Sequence, residues 1–155
     1  MHELVTAIRA SRGILLSTHC NPDGDGIGSQ LGLFHALRAG DFPVYMHNRD
    51  SVPRIYNFLE GSEEVGSGTD FTAFDIDLII SLDAGSRSRL GYADSFFDGR
   101  KLAVVDHHAS NVRFGDINVI DVSACSTGAM IYDLIGEMDL PVSPGTASAL
   151  YVTLL

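Results

Sequence analysis

The chain has no tryptophan, a single lysine (Lys101), two cysteines and five prolines among its 155 residues. With so little lysine and a formal net charge of −10, it lacks the basic stripe that tracks a long nucleic-acid duplex. The acidic excess suits cations better, and it also favours solubility. Cys20 and Cys125 have no CxxC spacing, so a cysteine-held zinc site is not expected, and without a secretory leader both should be reduced thiols. No apolar run approaches the roughly 20 residues that cross a bilayer. The opening Met1-His2-Glu3-Leu4 has no basic segment leading into an apolar one. These absences point to a cytoplasmic protein without a membrane partner, long enough to bury one real core.

What the sequence does contain is a pattern of acids and histidines placed after apolar runs. THCNPDGDGIGSQLGL, residues 18–33, sets His19, Asp23 and Asp25 within seven positions, directly after the run 13–16. A short helix is expected over 3–12 and a buried strand over 13–17. Ile27, Leu31, Phe34 and Leu37 then recur at helical spacing until Gly40 ends that helix. A strand over 43–46, a short helix over 52–59 and a polar, glycine-rich loop over 61–69 should follow. Segments 78–82 and 102–105 are continuously apolar, as strands covered on both faces are, and 117–120 reads as another. A helix over 126–138 has a Ser-Thr start suited to capping and turns Met130, Ile131, Leu134 and Ile135 inward. A last helix begins at 145. His2, His35 and His47 fit ordinary surface or interface positions. Strands alternating with helices imply an α/β fold, a doubly wound, mainly parallel sheet with helices on both faces.

Such folds bind ligands beyond the carboxyl ends of their strands. His19, Asp23 and Asp25 follow the first strand, Asp83 follows 78–82, and Asp106, His107 and His108 follow 102–105. In a parallel sheet these three endings project from one edge. Four carboxylates brought together would repel strongly, whereas two divalent cations supply four compensating charges. In an extended loop, residues two apart point the same way, so Asp23 and Asp25 could both reach inward. Imidazole and carboxylate ligands suit Mn²⁺, with Mg²⁺ or Co²⁺ as substitutes. So many oxygens suggest two ions, about 3.5–4 Å apart, able to hold a bridging hydroxide. Arg87 and Arg89, just after Asp83, are candidate phosphate contacts.

THCNPDGDGIGS, then SLDAG at 81–85, then VVDHHAS at 104–110 resemble, in order and spacing, the first three signature motifs of the DHH phosphoesterases. ACSTGAMIYDLI, 124–135, resembles the helix that follows in that family. Within it, the Asn-Pro-Asp-Gly-Asp form is most similar to the bifunctional oligoribonuclease and 3′-phosphoadenosine 5′-phosphate phosphatase group. The resemblance implies that His19 and Asp23 bind one Mn²⁺, Asp25 and His107 the other, and that Asp83 bridges both. It also implies that His108 faces the substrate phosphate and that Asp106 orients the histidines. Gly26 stands where the family usually has alanine, and it is expected to free the backbone there.

The implied activity is hydrolysis of short oligoribonucleotides and 3′-phosphoadenosine 5′-phosphate by a two-metal bridging hydroxide. The expected partners are therefore short RNA or small phosphorylated nucleotides and no long duplex, and a homodimer is compatible. Two other readings stand beside it, a pyrophosphatase or exopolyphosphatase acting on phosphoanhydrides, and a metal-dependent nucleotide sensor without turnover. The family also has a fourth motif and a smaller substrate-binding domain. By that comparison residues 1–155 are expected to be the DHH catalytic domain, ending just before the fourth motif, whose Asp completes the second metal site, so that this stretch alone should bind the second ion weakly and hydrolyse slowly.

Overall fold

The computed structural model describes residues 1–69, 71 and 75–155. The elements run α1 (His2–Ala10), β1 (Ile14–Thr18), α2 (Gly24–Ala39), β2 (Val44–Asn48), β3 (Gly66–Ser67), β4 (Leu78–Leu82), β5 (Lys101–Asp106), β6 (Ile117–Ile120), α3 (Thr127–Glu137) and α4 (Pro144–Val152). All pairings are parallel, and the sheet order is β3-β2-β1-β4-β5-β6. The chain builds outward from β1 in one direction, then returns to add β4, β5 and β6 on the other side. The order therefore reverses between β1 and β4, and a doubly wound sheet opens its ligand crevice at such a point.

Both faces of the sheet are buried, which explains the unbroken apolar strands. Ile14, Leu16, Ile80, Leu82, Ala103 and Val105 meet the inward residues of all four α-helices in one core. Leu15, Ile79, Leu102 and Val104 point the other way. There they meet Leu90 and Phe97, carried by the 3₁₀ turns Arg87–Leu90 and Asp94–Phe97. Helix α2 is buried almost all round, from Gly26 to Leu37 with His35 excepted, because the sheet covers one side and α3 and α4 the other.

Two segments differ from the pattern read in the sequence. The short helix expected over 52–59 is a single 3₁₀ turn, Arg54–Tyr56, since so short a segment makes too few hydrogen bonds to offset the cost of helix nucleation. The expected loop over 61–69 includes a 3₁₀ turn, Ser62–Glu64, and the two-residue edge strand β3. His47 also departs from its surface assignment. It is buried in β2, its Nδ1 is 2.8 Å from the Tyr92 hydroxyl, and burial pushes its pKa down.

Helices α2 and α4 cross at glycine. A Cβ added at Gly28 would lie 2.5 Å from the Ala149 carbonyl oxygen, which is backbone and cannot swing aside. Gly28→Ala is therefore expected to cost about 1–3 kcal/mol, read as a lower Tm in differential scanning calorimetry. An unchanged Tm would mean that this crossing is not close.

Candidate metal centre

Three strand ends deliver the side chains. β1 stops at Thr18, and the backbone N–H of Thr18 donates to Asn48 Oδ1 (3.0 Å) within a buried network in which Gln30 and Asn48 exchange amide hydrogen bonds. That network ties β1, α2 and β2 together beneath the turn carrying His19. β4 stops at Leu82, and Asp83 adopts φ +57°, a left-handed conformation that aspartate tolerates better than most residues. Asp106 ends β5 and is fully buried, with His107 and His108 just beyond it.

Asp23 and Asp25 reach the cluster differently from the extended-loop expectation. Asp23 is the N-cap of α2, its Oδ1 accepting from the N–H groups of Asp25 and Gly26 at 3.1 Å each. Asp25 lies in the first helical turn, where Ser29 Oγ donates to its Oδ1. Its carboxylate is also clamped by the start of α3, with Thr127 N–H donating to Oδ2 (2.9 Å) and Gly128 N–H to Oδ1 (3.0 Å). Helix N-termini favour anionic groups, which explains why α2 and α3 both present their starts here. The expectation for Gly26 is also corrected. It is helical, and a Cβ there would collide with Thr18 Oγ1, so glycine makes room for a neighbouring hydroxyl rather than freeing the backbone.

Asp83, only 1% exposed, sits at the centre. Its Oδ2 lies 3.6 Å from His19 Nε2, and its Oδ1 lies 3.9 Å from His107 Nε2 while accepting from Thr127 Oγ1 at 2.9 Å. Asp23 Oδ1 is 3.7 Å from His19 Nε2, and Asp25 Oδ2 is 3.3 Å from His107 Nε2. The 3.3 Å pair lies within the about 3.0–3.5 Å that separates donors sharing an ion with bonds of ~2.1 Å, and the 3.6–3.9 Å pairs are wider than both that span and a direct hydrogen bond. The other ring nitrogens are anchored, His19 Nδ1 at 2.8 Å from the Cys20 carbonyl and His107 Nδ1 at 3.2 Å from the Ala124 carbonyl. With Nδ1 donating to these carbonyls, Nε2 is the nitrogen that each ring would offer to an ion on losing its proton. Two groups among the described residues have ligand atoms close enough to hold a metal ion, His19 with Asp23 and Asp83, and Asp83 with His107 and His108. Donor type and the grouping of the ligand atoms thus fit divalent cations.

Asp106 touches one histidine, not both. Its Oδ1 is 2.7 Å from His108 Nδ1, and its Oδ2 accepts from Asn111 Nδ2 at 2.6 Å, while His107 is set by backbone. Asp106 pushes the His108 pKa up, chiefly by hydrogen bonding. Asp23 and then Asp83 push His19 up to about 10, and His19 in turn holds Asp23 well below the usual carboxylate range. Burial, followed by the charge of Asp83, raises Asp25.

The two arginines part company. Arg89 reaches the cluster, a guanidinium nitrogen 3.2 Å from His19 Nδ1. Arg87 instead lies over the Phe97 ring (4.8 Å) and 3.9 Å from Asp94, turned toward the 3₁₀ turn that carries them. Neighbouring residues need not share a direction in a 3₁₀ turn. Asn111, Thr127 and Gly128 were not singled out as site residues. Ser-Thr-Gly at 126–128 reads as a helix cap, which Ser126 is, but nothing local shows that the next two residues grip Asp25 and Asp83.

A parallel α/β sheet brings imidazoles and carboxylates together at its switch point, in groups that could hold a metal ion. The family model described as "DHH family, N-terminal domain" matches residues 13–154, and the chain belongs to the DHH family. It is 35% identical over 137 residues to the bifunctional oligoribonuclease and PAP phosphatase NrnA of Thermus thermophilus, covering 87% of this chain and 40% of that protein. The Bacillus subtilis protein of the same name is 32% identical over 136 residues, covering 87% and 42%. The chain thus spans less than half the length of these relatives. Among solved structures, an exopolyphosphatase-related protein from Bacteroides fragilis superposes with TM-score 0.82 at 23% identity, covering 99% of this chain and 48% of that one. A putative family II inorganic pyrophosphatase from Methanococcus jannaschii gives 0.61 at 19% identity, covering 90% and 47%. These two likenesses establish a shared fold. Among the described residues, no helix is long and apolar enough to cross a membrane.

Proposed function

We propose that this chain carries the catalytic centre of a phosphoesterase using two divalent ions, Mn²⁺ by preference, to cleave short oligoribonucleotides and 3′-phosphoadenosine 5′-phosphate. The observation that carries the reading is Asp83, whose two oxygens face the Nε2 atoms of histidines from two different strand ends. His19 and Asp23 would hold one ion, Asp25 and His107 the other, and Asp83 both. Bound there, the ions supply Lewis acidity at the phosphoryl oxygens and lower the pKa of water. The chain's own residues do the rest. Asp106 fixes the His108 ring through Nδ1, leaving Nε2 to hold a proton against the phosphate or to pass it to the leaving oxygen. The hydrogen bond from Asp106 raises the His108 pKa and so favours the protonated ring. Arg89, at the edge of the cluster, adds a positive charge for an incoming anion. The relatives named oligoribonuclease and PAP phosphatase support the substrate assignment.

The test is a substrate panel with Mn²⁺: an RNA dinucleotide, 3′-phosphoadenosine 5′-phosphate, a cyclic dinucleotide and pyrophosphate. Release of mononucleotide and phosphate from the first two is expected. Turnover of pyrophosphate alone would assign a phosphoanhydride hydrolase, and tight binding without product would assign a sensor.

A further inference from the structure

Asp106 is fully buried, and its two oxygens have different partners. Oδ1 lies 2.7 Å from His108 Nδ1 and accepts from the His108 backbone N–H at 3.3 Å. Among the described residues, Oδ2 accepts from Asn111 alone, whose Nδ2 is 2.6 Å away. The same Nδ2 donates to the carbonyl oxygen of Ala84, the residue after Asp83, at 3.1 Å, while Asn111 Oδ1 accepts from the Arg113 backbone N–H at 2.7 Å. An amide nitrogen carries two hydrogens and an amide oxygen accepts, so each neighbour meets the polarity it needs; the amide turned over would set its oxygen against two acceptors. The backbone is tied to the same places, with Asn111 N–H donating to the His108 carbonyl and Val112 N–H to the Gly85 carbonyl, both at 3.1 Å. Asn111 thus spans the loops after β4 and β5, which carry Asp83 and the histidine pair.

From this arrangement we infer that Asn111 is a positioning residue for His108, acting by holding the Asp106 carboxylate that fixes the His108 ring. The inference deepens the phosphoesterase reading above and rests on it for what His108 does to substrate. A carboxylate bonded at both oxygens cannot rotate about its Cβ–Cγ bond without breaking one of them, so Oδ1 stays aimed at the ring. Without Asn111, the buried Oδ2 loses its hydrogen bond, and turning to regain one would pull Oδ1 off the ring. The contact to Ala84 ties the same amide to the turn of Asp83, so the ring is placed relative to that carboxylate, whose Oδ1 is 3.6 Å from His108 Nδ1. Partners that orient a functional group from behind typically act by about 10–100-fold on activity.

Asn111→Leu keeps the bulk of the side chain without its donors, and Asn111→Ala removes it; both changes sit in a loop and should leave the circular dichroism spectrum unaltered. In the metal-free wild type, proton NMR should show a downfield His108 Nδ1–H signal, recognised by its disappearance in His108→Ala. That signal should be lost to solvent exchange in both Asn111 variants. With Mn²⁺ present, kcat on 3′-phosphoadenosine 5′-phosphate should fall about 10–100-fold in either variant at unchanged Mn²⁺ affinity. In a His108→Ala background, Asn111→Ala should cost nothing further, because the two side chains act as one unit. A signal absent from the wild type, or equally protected in the variants, would overturn the inference, as would a full further loss in the His108→Ala background. A fall in Mn²⁺ affinity matching the fall in kcat would overturn it too, by assigning Asn111 to the Asp83 turn instead. Loss of the signal in the variants, with no hydrolysis by the wild type, would keep the positioning role and overturn the phosphoesterase reading.

Discussion

Asp83→Asn is expected to lower turnover in Mn²⁺ by about 10³-fold while the protein stays folded. The side chain is nearly isosteric, and asparagine accepts the left-handed backbone at φ +57° as readily as aspartate. Its amide can still accept from Thr127 Oγ1 through the carbonyl oxygen. What it cannot do is present two anionic oxygens, one toward His19 and one toward His107. A carboxylate serving two ions contributes to both, so its loss should reduce Mn²⁺ stoichiometry from two to one as well as slow the reaction. Calorimetric titration with Mn²⁺ and an assay on 3′-phosphoadenosine 5′-phosphate read the two effects separately. Activity retained above about a tenth of wild type, with two ions still bound, would show that Asp83 does not bridge.

Metal affinity is expected to climb about tenfold per pH unit, or roughly 100-fold between pH 6 and pH 8. In the metal-free protein, Asp23 and then Asp83 hold the proton on His19 up to a pKa of about 10. An ion can use His19 Nε2 only by displacing that proton, so close to one proton should leave per ion bound at this group. Titrations in buffers of different ionisation enthalpy count it; pH-independent affinity would mean that His19 is not a ligand. Stability of the metal-free chain follows the opposite sign on the alkaline side. Because the folded pKa of His19 lies above its ordinary 6.5, its contribution is complete below pH 6.5 and lost as the pH rises through about 10. Asp23 is shifted down from 3.8, chiefly by His19, so its contribution is present above about pH 4 and lost in acid. Urea midpoints without metal should therefore be highest, as far as this cluster governs them, between about pH 4 and 6.5.

Most of the architecture could be read from the sequence because it is written in local patterns. Strands β4 and β6 have the bounds that the apolar runs suggest, β1, β2 and β5 differ by a residue or two at their ends, and the two-residue β3 had no such run. Such runs report burial on both faces directly, and Gly40 marks the real end of α2, whereas α1 stops at Ala10, short of Gly13. Boundaries blurred where a single turn competes with loop, as at 54–56, because a short helix depends on packing rather than on its own residues. The candidate ligands were legible for a related reason. A side chain placed one residue after a buried strand has few directions open to it, so His19, Asp83 and the Asp106–His108 triplet declare themselves by position.

Contacts between distant segments were decided by the tertiary structure alone. The sheet order places β1 beside β4, and only that adjacency brings His19 within 3.6 Å of Asp83. The start of α3 grips Asp25, about a hundred residues earlier in the chain, through backbone N–H groups that have no residue-type signature. Arg87 and Arg89 differ by two positions, yet a 3₁₀ turn and the ring of Phe97 send one away and leave the other at the cluster. The residue types and their strand-end positions thus determined which groups could act, since local burial constrains them one at a time. Which of them meet depended on strand order, helix docking and the close approach at Gly26 and Gly28, all of which are set by packing across the whole chain.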